Sequence, residues 1–327
     1  MFYKKLNGKV QCLLCPRHCI IPEGKRGFCW NRENINGKLY AVGYGKVCSL
    51  AIDPIEKKPL YHFYPGSSVL SLAIGGCNFR CLHCQNWEVS QTPPDKLVYR
   101  EMSPEEVINL ALYHKVPGLS YTYTEPTVYY EFMYDCSVLA KKYGLFNTMV
   151  TNGYIEKEPL KALPVDAMNI DIKGNEKFYR EVCKAELSPV LETCKLAKKL
   201  GIWVEITNLI VPRYNDNLDD ILFIIDFVKS LGRETPLHFT RFHPDYKLLD
   251  VPPTPIEVLE KARELAIEEG LKYVYVGNVP GHEGENTYCP NCKALLIERS
   301  LFGIKIVDLD LESKRCLVCG EKIDIIC

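Results

Sequence analysis

The chain has 327 residues, of which 47% are hydrophobic, and its 40 basic and 41 acidic residues give a net charge of −1. A chain of this length can bury a large core within one main domain. The balanced charge, without a long basic run, argues against nucleic acid and anionic membranes as partners. The first residues lack an apolar leader, and the most hydrophobic stretch, 221–228, is short and contains Asp226. We therefore expect a soluble, cytoplasmic protein.

Apolar runs alternate with amphipathic stretches through the middle of the chain. The apolar runs predict strands at Val69–Ile74, Leu119–Thr124, Phe146–Thr151, Ala167–Ile172, Trp203–Ile210, Leu237–Phe242 and Tyr273–Val276. The amphipathic stretches predict helices at Pro104–His114, Val128–Tyr143, Pro189–Leu200, Leu218–Leu231 and Pro255–Glu269. This alternation predicts a parallel sheet with right-handed crossovers.

Polar residues follow the predicted strands at the points where they end. They are Glu125 after the second strand, Thr151 and Asn152 at the third, Asp171 and Lys173 at the fourth, and His243 after the sixth. In α/β barrels the chemistry collects at the carboxyl ends of the strands. The repeated placement of polar groups at these ends therefore predicts one shared site.

A cysteine loop, residues 77–84, directly follows the first predicted strand and places Cys77, Cys81 and Cys84 at C-x3-C-x2-C spacing. Thiolates favour zinc or iron–sulfur clusters, and three of them can hold three irons of a [4Fe–4S] cube while one iron keeps an open position. A closed zinc site needs a fourth ligand. His83 could supply it only by folding back beside Cys84, so we expect a cluster here rather than zinc or free thiols.

The C-terminal cysteine group consists of Cys289, Cys292, Cys316 and Cys319. Two C-x2-C pairs separated by 23 residues, 293–315, approach the pattern of a zinc ribbon. A structural zinc is the first interpretation, with a rubredoxin-like iron or an auxiliary cluster as alternatives. The last residue, Cys327, is expected to be outside the site.

The N-terminal cysteine group consists of Cys12, Cys15, Cys19 and Cys29. Four thiolates in this order suit either a closed zinc site or a second iron–sulfur cluster, with a slight preference for zinc. His18 is expected outside the ligand set, because thiolates already fill the count. The isolated Cys48, Cys136, Cys183 and Cys194 are expected in the core, where free cysteine is usually found.

The cysteine loop resembles that of the radical S-adenosylmethionine (SAM) superfamily, whose open iron is chelated by SAM. The resemblance extends to Cys12–Cys29, to the segment AIDPIEKKPLYHFYPG at 51–66, and to the segments 77–91 and 277–292. Together these look like the radical SAM component of the AmmeMemoRadiSam system, a relative of the pyruvate formate-lyase activating enzymes. The implied fold is a partial (β/α)6 TIM-like barrel at 66–284. A Cys-rich N-terminal segment at 1–65 and a zinc-ribbon-like segment at 285–327 flank it.

The resemblance also implies roles for individual residues. Glu125 stands in the segment 123–127, where many radical SAM enzymes have Gly-Gly-Glu-Pro, a strand edge that binds the SAM amino group. Asp171 and Lys173 look like the activases' Asp-Leu-Lys and would face the ribose or methionine part of SAM. Thr151 and Asn152 resemble the activases' Asp-Thr-Asn-Gly, but Val150 replaces the acid and puts a monovalent-cation site in doubt.

Two histidines belong to the region of the sixth predicted strand: His238 lies within the strand, and His243 directly follows it. His243 matches the strand-end histidine that approaches SAM in the activases, whereas His238 lies on the opposite face of the strand and is expected in the core or at the surface. Two loops, Tyr40–Pro65 and Gly277–Asn286, could roof the barrel mouth. His282 and Glu285 are candidates for contacts with a substrate, with polar groups of the loop surface as the alternative interpretation.

The implied activity is reductive cleavage of SAM followed by hydrogen abstraction, with an electron from a ferredoxin- or flavodoxin-like donor. The substrate is either a small molecule, which we favour slightly, or a glycine of a partner protein, as for an activase. Memo-like and AMMECR-like proteins of the same system are candidate partners. The non-enzymatic alternative, an electron-transfer or zinc-ribbon scaffold, leaves the polar strand ends unexplained.

Overall fold

The computed structural model of the protein describes residues 1–300 and 303–327. The strands are β1 Tyr3–Leu6, β2 Lys9–Cys12, β3 Ile20–Pro22, β4 Arg32–Ile35, β5 Lys38–Ala41, β6 Lys46–Pro54, β7 Ser68–Ile74, β8 Arg100–Glu101, β9 Gly118–Tyr121, β10 Phe146–Thr151, β11 Ala167–Asp171, β12 Trp203–Ile210, β13 Leu237–Arg241, β14 Val274–Gly277, β15 Thr287–Tyr288, β16 Leu295–Ser300, β17 Gly303–Ile306, β18 Leu309–Asp310 and β19 Arg315–Cys316. The α-helices are α1 Trp87–Ser90, α2 Pro104–Tyr113, α3 Tyr130–Lys142, α4 Lys157–Ala162, α5 Glu176–Phe178, α6 Ser188–Lys199, α7 Leu218–Leu231 and α8 Ile256–Glu268.

The central sheet has nine strands in the order β14-β13-β12-β11-β10-β9-β7-β6-β8. Neighbours from β14 to β7 are parallel, whereas β6 pairs antiparallel with both β7 and β8. The prediction of an α/β fold with a mostly parallel sheet is confirmed. Across the described residues the sheet has two ends, at β14 and β8, so closure of the barrel stays a prediction.

Local sequence signals fix the helices that cover the sheet. Ser103 and Glu106 form a capping box at the start of α2, and Pro104 occupies the first helical position. In α7 the Asn217 side chain accepts from the Asp220 N–H, and the buried positions recur at helical spacing. The helices therefore pack their apolar faces against the strands and leave the strand ends free.

A buried polar network centred on Glu205 lies near the start of β12. The carboxylate accepts hydrogen bonds from the backbone N–H groups of Tyr61 and His62 at 3.0 and 2.8 Å, and it lies 2.8 Å from His238 Nε2. Burial raises the pKa of Glu205. The hydrogen bond and charge of His238 lower that pKa, and with the other contacts of the carboxylate they outweigh burial, so the net shift of the pKa is downward. His238 is thus a core residue that helps to hold the 61–62 segment inside the sheet.

Smaller sheets flank the central one at both ends of the chain. Strands β1 to β3 form one antiparallel sheet, β4 and β5 form a hairpin, and β15 to β17 form another antiparallel sheet. The C-terminal part packs on the barrel through Arg299, whose guanidinium donates to the carbonyl of Tyr61 at 2.9 Å. Strand β6, although it lies within the predicted N-terminal segment, belongs to the central sheet.

Within the described part of the chain, no helix combines the length and apolarity needed to span a bilayer.

Candidate functional site

A cavity of about 400 Å³ lies at the carboxyl edge of the parallel strands. It brings together eight of the nine residues predicted to bind a cofactor: Cys77, Cys81, Cys84, Glu125, Thr151, Asn152, Asp171 and Lys173. These residues come from the ends of β7, β9, β10 and β11, which are neighbours in the sheet. The shared site expected from the repeated polar strand ends is therefore a single cavity.

The cysteine loop begins where β7 ends, and donor groups surround its sulfurs. The backbone N–H of Phe79 donates to Cys77 Sγ at 3.3 Å, and Ser90 Oγ lies 3.1 Å from Cys84 Sγ. Burial raises the pKa of the Cys84 thiol to about 11, and it also raises that of Cys77. A bound cation would favour the thiolate forms, since its charge offsets the cost of burying them.

The spacing of the sulfurs shows what kind of metal group the loop fits. Among residues 1–300 and 303–327, the C-terminal cysteine group alone brings three or more potential ligand atoms within 4.8 Å of one another. The sulfurs of the cysteine loop line one cavity but are spread more widely than a single ion requires. Three separated thiolates around a common space fit a cluster with several irons.

Glu125 is buried and its carboxylate ties two strand ends together. Oε1 accepts from the Thr127 N–H at 3.0 Å and from Thr151 Oγ1 at 2.8 Å, while Oε2 accepts from the Asn152 N–H at 2.9 Å. Burial raises the pKa of Glu125, and these donors offset part of that rise. Because most of its acceptor positions are used within the protein, Glu125 also acts as a positioning group for β10.

The two other predicted pairs, Thr151 with Asn152 and Asp171 with Lys173, also line the cavity. Asn152 Nδ2 lies 2.8 Å from Asn78 Oδ1 and 3.8 Å from Cys77 Sγ, which joins β10 to the cysteine loop. Lys173 Nζ lies 2.8 Å from Asp171 Oδ2, as expected for side chains on one face of a strand. Burial lowers the pKa of Lys173, but the charges of Asp171 and Cys81 raise it more, so Lys173 stays protonated.

The structure does not bring His243 to this cavity. The side chain is exposed, and the residue of β13 that lines the cavity is Thr240. Alternate residues of a strand point to opposite faces, so His243 shares its parity with Arg241, whereas Thr240 and His238 face inward. The loop after β14 contributes Asn278, but His282 and Glu285 are not among the cavity residues.

A polar group that the sequence analysis missed lines the same cavity as the cysteine loop. Lys58, only 1% exposed, lies 2.7 Å from Asp53 through Nζ, and Lys57 approaches the same carboxylate at 2.8 Å. The hydroxyl of Tyr123 donates to Asp53, and the Tyr123 ring centre lies 4.4 Å from Lys58 Nζ. Tyr123 has a φ of 64°, a conformation that favours glycine. The Lys-Lys pair in the segment 51–66 was the available signal.

Cys183, His83 and Cys48 have the following surroundings in the structure. Cys183 is buried, as predicted, and its carbonyl accepts from the Arg80 N–H at 3.0 Å, which ties it to the cysteine loop. His83 lines the cavity, and its buried Nδ1 has no hydrogen-bond partner among the described residues. Cys48, expected in the core, is only partly buried, and its sulfur donates to the Ala73 carbonyl at 3.5 Å.

The C-terminal cysteine group brings its four sulfurs together, and the N-terminal group lines one cavity. In the C-terminal group Cys289 and Cys319 lie 3.6 Å apart through their sulfurs, and Cys292 and Cys316 lie 3.7 Å apart. The N-terminal group lines a separate small cavity behind the cysteine loop. His18 pairs with Glu156 at 2.9 Å and is not among the described residues that line that cavity, and its place outside the ligand set stays a prediction.

Comparisons with known proteins agree with this geometry. The model of the radical SAM superfamily matches residues 72–228, which include the cysteine loop. An uncharacterized protein of Methanocaldococcus jannaschii is 78% identical over 328 residues, covering 100% of this chain and 98% of the relative. The pyruvate formate-lyase 1-activating enzyme of Escherichia coli K12 is 24% identical over 218 residues, covering 61% of this chain and 89% of the relative.

A solved structure supports the fold. Streptococcus suis SuiB bound to S-adenosylmethionine superposes with a TM-score of 0.50 at 12% identity, over 64% of this chain and 51% of that chain. Residues 72–228 form a radical SAM domain, and with the similarity to activating enzymes this makes the chain an enzyme of the radical SAM class. Membership implies a [4Fe–4S] cluster and SAM, and the wide thiolate spacing at residues 77–84 fits such a cluster.

Proposed function

We propose that Cys77, Cys81 and Cys84 hold a [4Fe–4S] cluster, that SAM occupies the adjoining strand ends, and that the enzyme abstracts hydrogen from a small molecule. The observation that carries this proposal is the single cavity that joins the three cysteines to polar groups on both sides. When bound, cluster and SAM together supply a one-electron cleavage that yields methionine and a 5′-deoxyadenosyl group able to take a hydrogen atom from a C–H bond.

The protein's own groups orient the reactants in this proposal. Glu125 would present its remaining acceptor position on Oε2 to the SAM amino group, while its other hydrogen bonds fix the end of β10. Asp171 and Lys173, which lie 2.8 Å apart, would contact the ribose or methionine part. His243 has no part in this arrangement, because it lies outside the cavity.

The group formed by Asp53, Lys57, Lys58 and Tyr123 supports a substrate that carries an anionic group. One carboxylate is shared by two ammonium groups, so the group has a surplus positive charge. Lys58 Nζ donates one hydrogen bond, to Asp53, and the described residues offer it no second acceptor. A carboxylate on the substrate would use the remaining donors and remove the cost of leaving them unmet.

A second candidate function is activation of a glycyl-radical protein. The 24% identity with the Escherichia coli activating enzyme favours it, since that relative is matched over 89% of its length. An activase must admit a backbone segment of its partner, which gives no reason for a buried cation in the cavity. We therefore rank it below a small-molecule reaction.

We also propose that the C-terminal cysteine group holds a structural zinc. Sulfur separations of 3.6 and 3.7 Å match a tetrahedral ion whose zinc–sulfur bonds are about 2.3 Å long. Four thiolates leave no open position, so this site has a structural role in the proposal. Its ligands connect the turns around β15 to β19, whose buried apolar residues form one small cluster together with Tyr61, Tyr273 and Tyr275.

The proposed partners follow from the chemistry. A one-electron donor of the ferredoxin or flavodoxin class would reduce the cluster, as the similarity to activating enzymes suggests. Memo-like and AMMECR-like proteins stay proposed partners, supported only by the sequence resemblance.

The test compares two sources of substrate. Anaerobically reconstituted protein is incubated with SAM and dithionite, and 5′-deoxyadenosine is measured after addition of either the metabolite filtrate or the protein fraction of a cell extract. We expect stimulation by the filtrate, with hydrogen transferred from a small molecule. Stimulation by the protein fraction alone, together with a glycyl-radical signal in electron paramagnetic resonance (EPR), would establish the activase instead.

A further inference from the structure

We propose that the N-terminal cysteine group binds a second [4Fe–4S] cluster, which passes electrons to the cluster of the cysteine loop. Sequence spacing left zinc and a cluster both open at this position and slightly favoured zinc. The structure supplies three independent observations on the site: the spacing of its sulfurs, an unpartnered buried cation beside them, and direct packing against the cysteine loop.

Sulfur spacing separates the two kinds of metal group within this one chain. A tetrahedral zinc holds neighbouring thiolate sulfurs about 3.8 Å apart, because each bond is about 2.3 Å long. The C-terminal group has that spacing, at 3.6 and 3.7 Å. In the N-terminal group, as in the cysteine loop, no three sulfurs lie within 4.8 Å of one another among the described residues. Thiolates on separate irons of a cube are spread in this way.

The four cysteines of the N-terminal group nevertheless share one cavity. Cys12, Cys15, Cys19 and Cys29 line the same small cavity, and the backbone N–H of Cys12 donates to the Cys19 carbonyl at 3.0 Å. Cys12 and Cys29 are buried, whereas Cys15 and Cys19 are partly exposed. The site therefore has a protected side towards the barrel and a side accessible to an electron donor.

Arg32 shows that this cavity is built for an anionic group. Its side chain is 4% exposed, and Nη1 lies 2.5 Å from Glu131. The other two guanidinium nitrogens, Nε and Nη2, are buried without a hydrogen-bond partner among the described residues. Arg32 lines the cavity with the four cysteines. A metal–thiolate group with net negative charge would accept from these donors and remove the cost of leaving them unmet.

The N-terminal group packs directly against the cysteine loop. A Cβ built on Gly76, the residue before Cys77, would lie 2.5 Å from the carbonyl oxygen of Cys29. The Arg80 guanidinium donates to the Cys77 carbonyl at 2.8 Å and lies 4.0 Å from the centre of the Phe28 ring. With no layer of protein between the two groups, one electron accepted from a ferredoxin- or flavodoxin-class donor would oxidise the donor, reduce the outer cluster and move inward. This relay, unlike the cluster itself, rests on the proposed function.

The metal content of the full wild-type chain tests the cluster without any substitution. Anaerobic reconstitution should give about eight irons and about eight sulfides per chain, together with about one zinc. About four irons with about two zincs would overturn the proposal and assign zinc to the N-terminal group.

A triple variant, Cys77→Ala with Cys81→Ala and Cys84→Ala, separates this proposal from the proposed function. It should retain about four irons and show, after reduction, an EPR signal that SAM does not alter. Loss of all iron from a folded triple variant would overturn the second cluster.

The relay is tested with Cys15→Ser: SAM cleavage driven by flavodoxin should be lost while cleavage driven by dithionite persists. Equal rates with both reductants would overturn the relay.

Discussion

Lys58 Nζ lies 2.7 Å from Asp53 Oδ2 inside a cavity wall where the lysine is 1% exposed. Burial lowers the pKa of Lys58 to about 8, the Asp53 carboxylate limits the fall, and the neighbouring Lys57 adds to it. Burial raises the pKa of Asp53, but hydrogen bonds from Lys57, Lys58 and Tyr123 lower it more. Asp53 therefore stays ionised, and Lys58 is the group of this cluster that titrates near neutral pH.

This titration predicts a pH limit on substrate binding. Lys58 is protonated below about pH 8 and loses its charge above it, so the KM for an anionic substrate should rise as the pH passes 8. Lys58→Arg should move that limit to higher pH, because a guanidinium stays charged. A KM that is unchanged between pH 7 and pH 9 would contradict an anionic anchor at Lys58.

Substitution of Lys58 should also separate SAM cleavage from its stimulation by substrate. In Lys58→Met, SAM cleavage by dithionite should persist while stimulation by substrate is lost, because the cysteines are untouched. Lys161→Met is the control, since the Lys161 side chain is 47% exposed, pairs with Glu158 and lies on α4, outside the cavity residues. The account is wrong on this point if both variants respond to substrate like the wild type.

Gly76 predicts a steric requirement next to the cysteine loop. It has a φ of 97°, and an added Cβ would meet the Cys29 carbonyl at 2.5 Å. Gly8 has a φ of 66° with nothing within 4 Å, so Gly8→Ala carries only the conformational cost of about 1 kcal/mol. Gly76→Ala should lower the free energy of unfolding by roughly 1 to 3 kcal/mol more than that. Chemical denaturation of both variants measures the difference, and equal values would refute the close packing.

A structural zinc in the C-terminal cysteine group should affect the stability of the protein but not SAM cleavage. Cys319→Ala should release zinc and lower the unfolding temperature, while SAM cleavage continues below that temperature. Cys327→Ala is the control, because Cys327 is exposed like Cys319 but lies outside the C-terminal cysteine group. Loss of SAM cleavage in a Cys319→Ala protein that stays folded would contradict a structural role.

The periodicity of the sequence was enough to predict the parallel sheet and its covering helices. Trp203–Ile210, Phe146–Thr151 and Leu218–Leu231 have the predicted bounds, since long apolar runs and strong caps define them. Strand β6 was not predicted, because Lys46–Pro54 is half-buried at the side of the sheet and lacks a continuous apolar run. Its antiparallel pairing with β7 depends on tertiary contacts.

The site was predictable where ligand chemistry constrains spacing. Three thiolates at fixed intervals restrict the choice of metal group, and strand ends of a parallel sheet must meet at one edge. Lys58 could not be found in this way, since its burial depends on a contact with Asp53 across a short turn and on the ring of Tyr123. His243 lies outside the cavity because it follows the last residue of β13 with the parity of Arg241, and sequence alone does not fix which face of that strand turns inward.

The account depends most on the cysteine loop, and 5′-deoxyadenosine formation by Cys81→Ala tests it most directly. Cys136→Ala is the matched control, because Cys136 is equally buried but lies on α3, away from the cavity. With SAM and dithionite, wild type and Cys136→Ala should form 5′-deoxyadenosine, whereas folded Cys81→Ala should form none. Formation at the wild-type rate by Cys81→Ala would contradict the assignment of these three thiolates to the cluster that cleaves SAM.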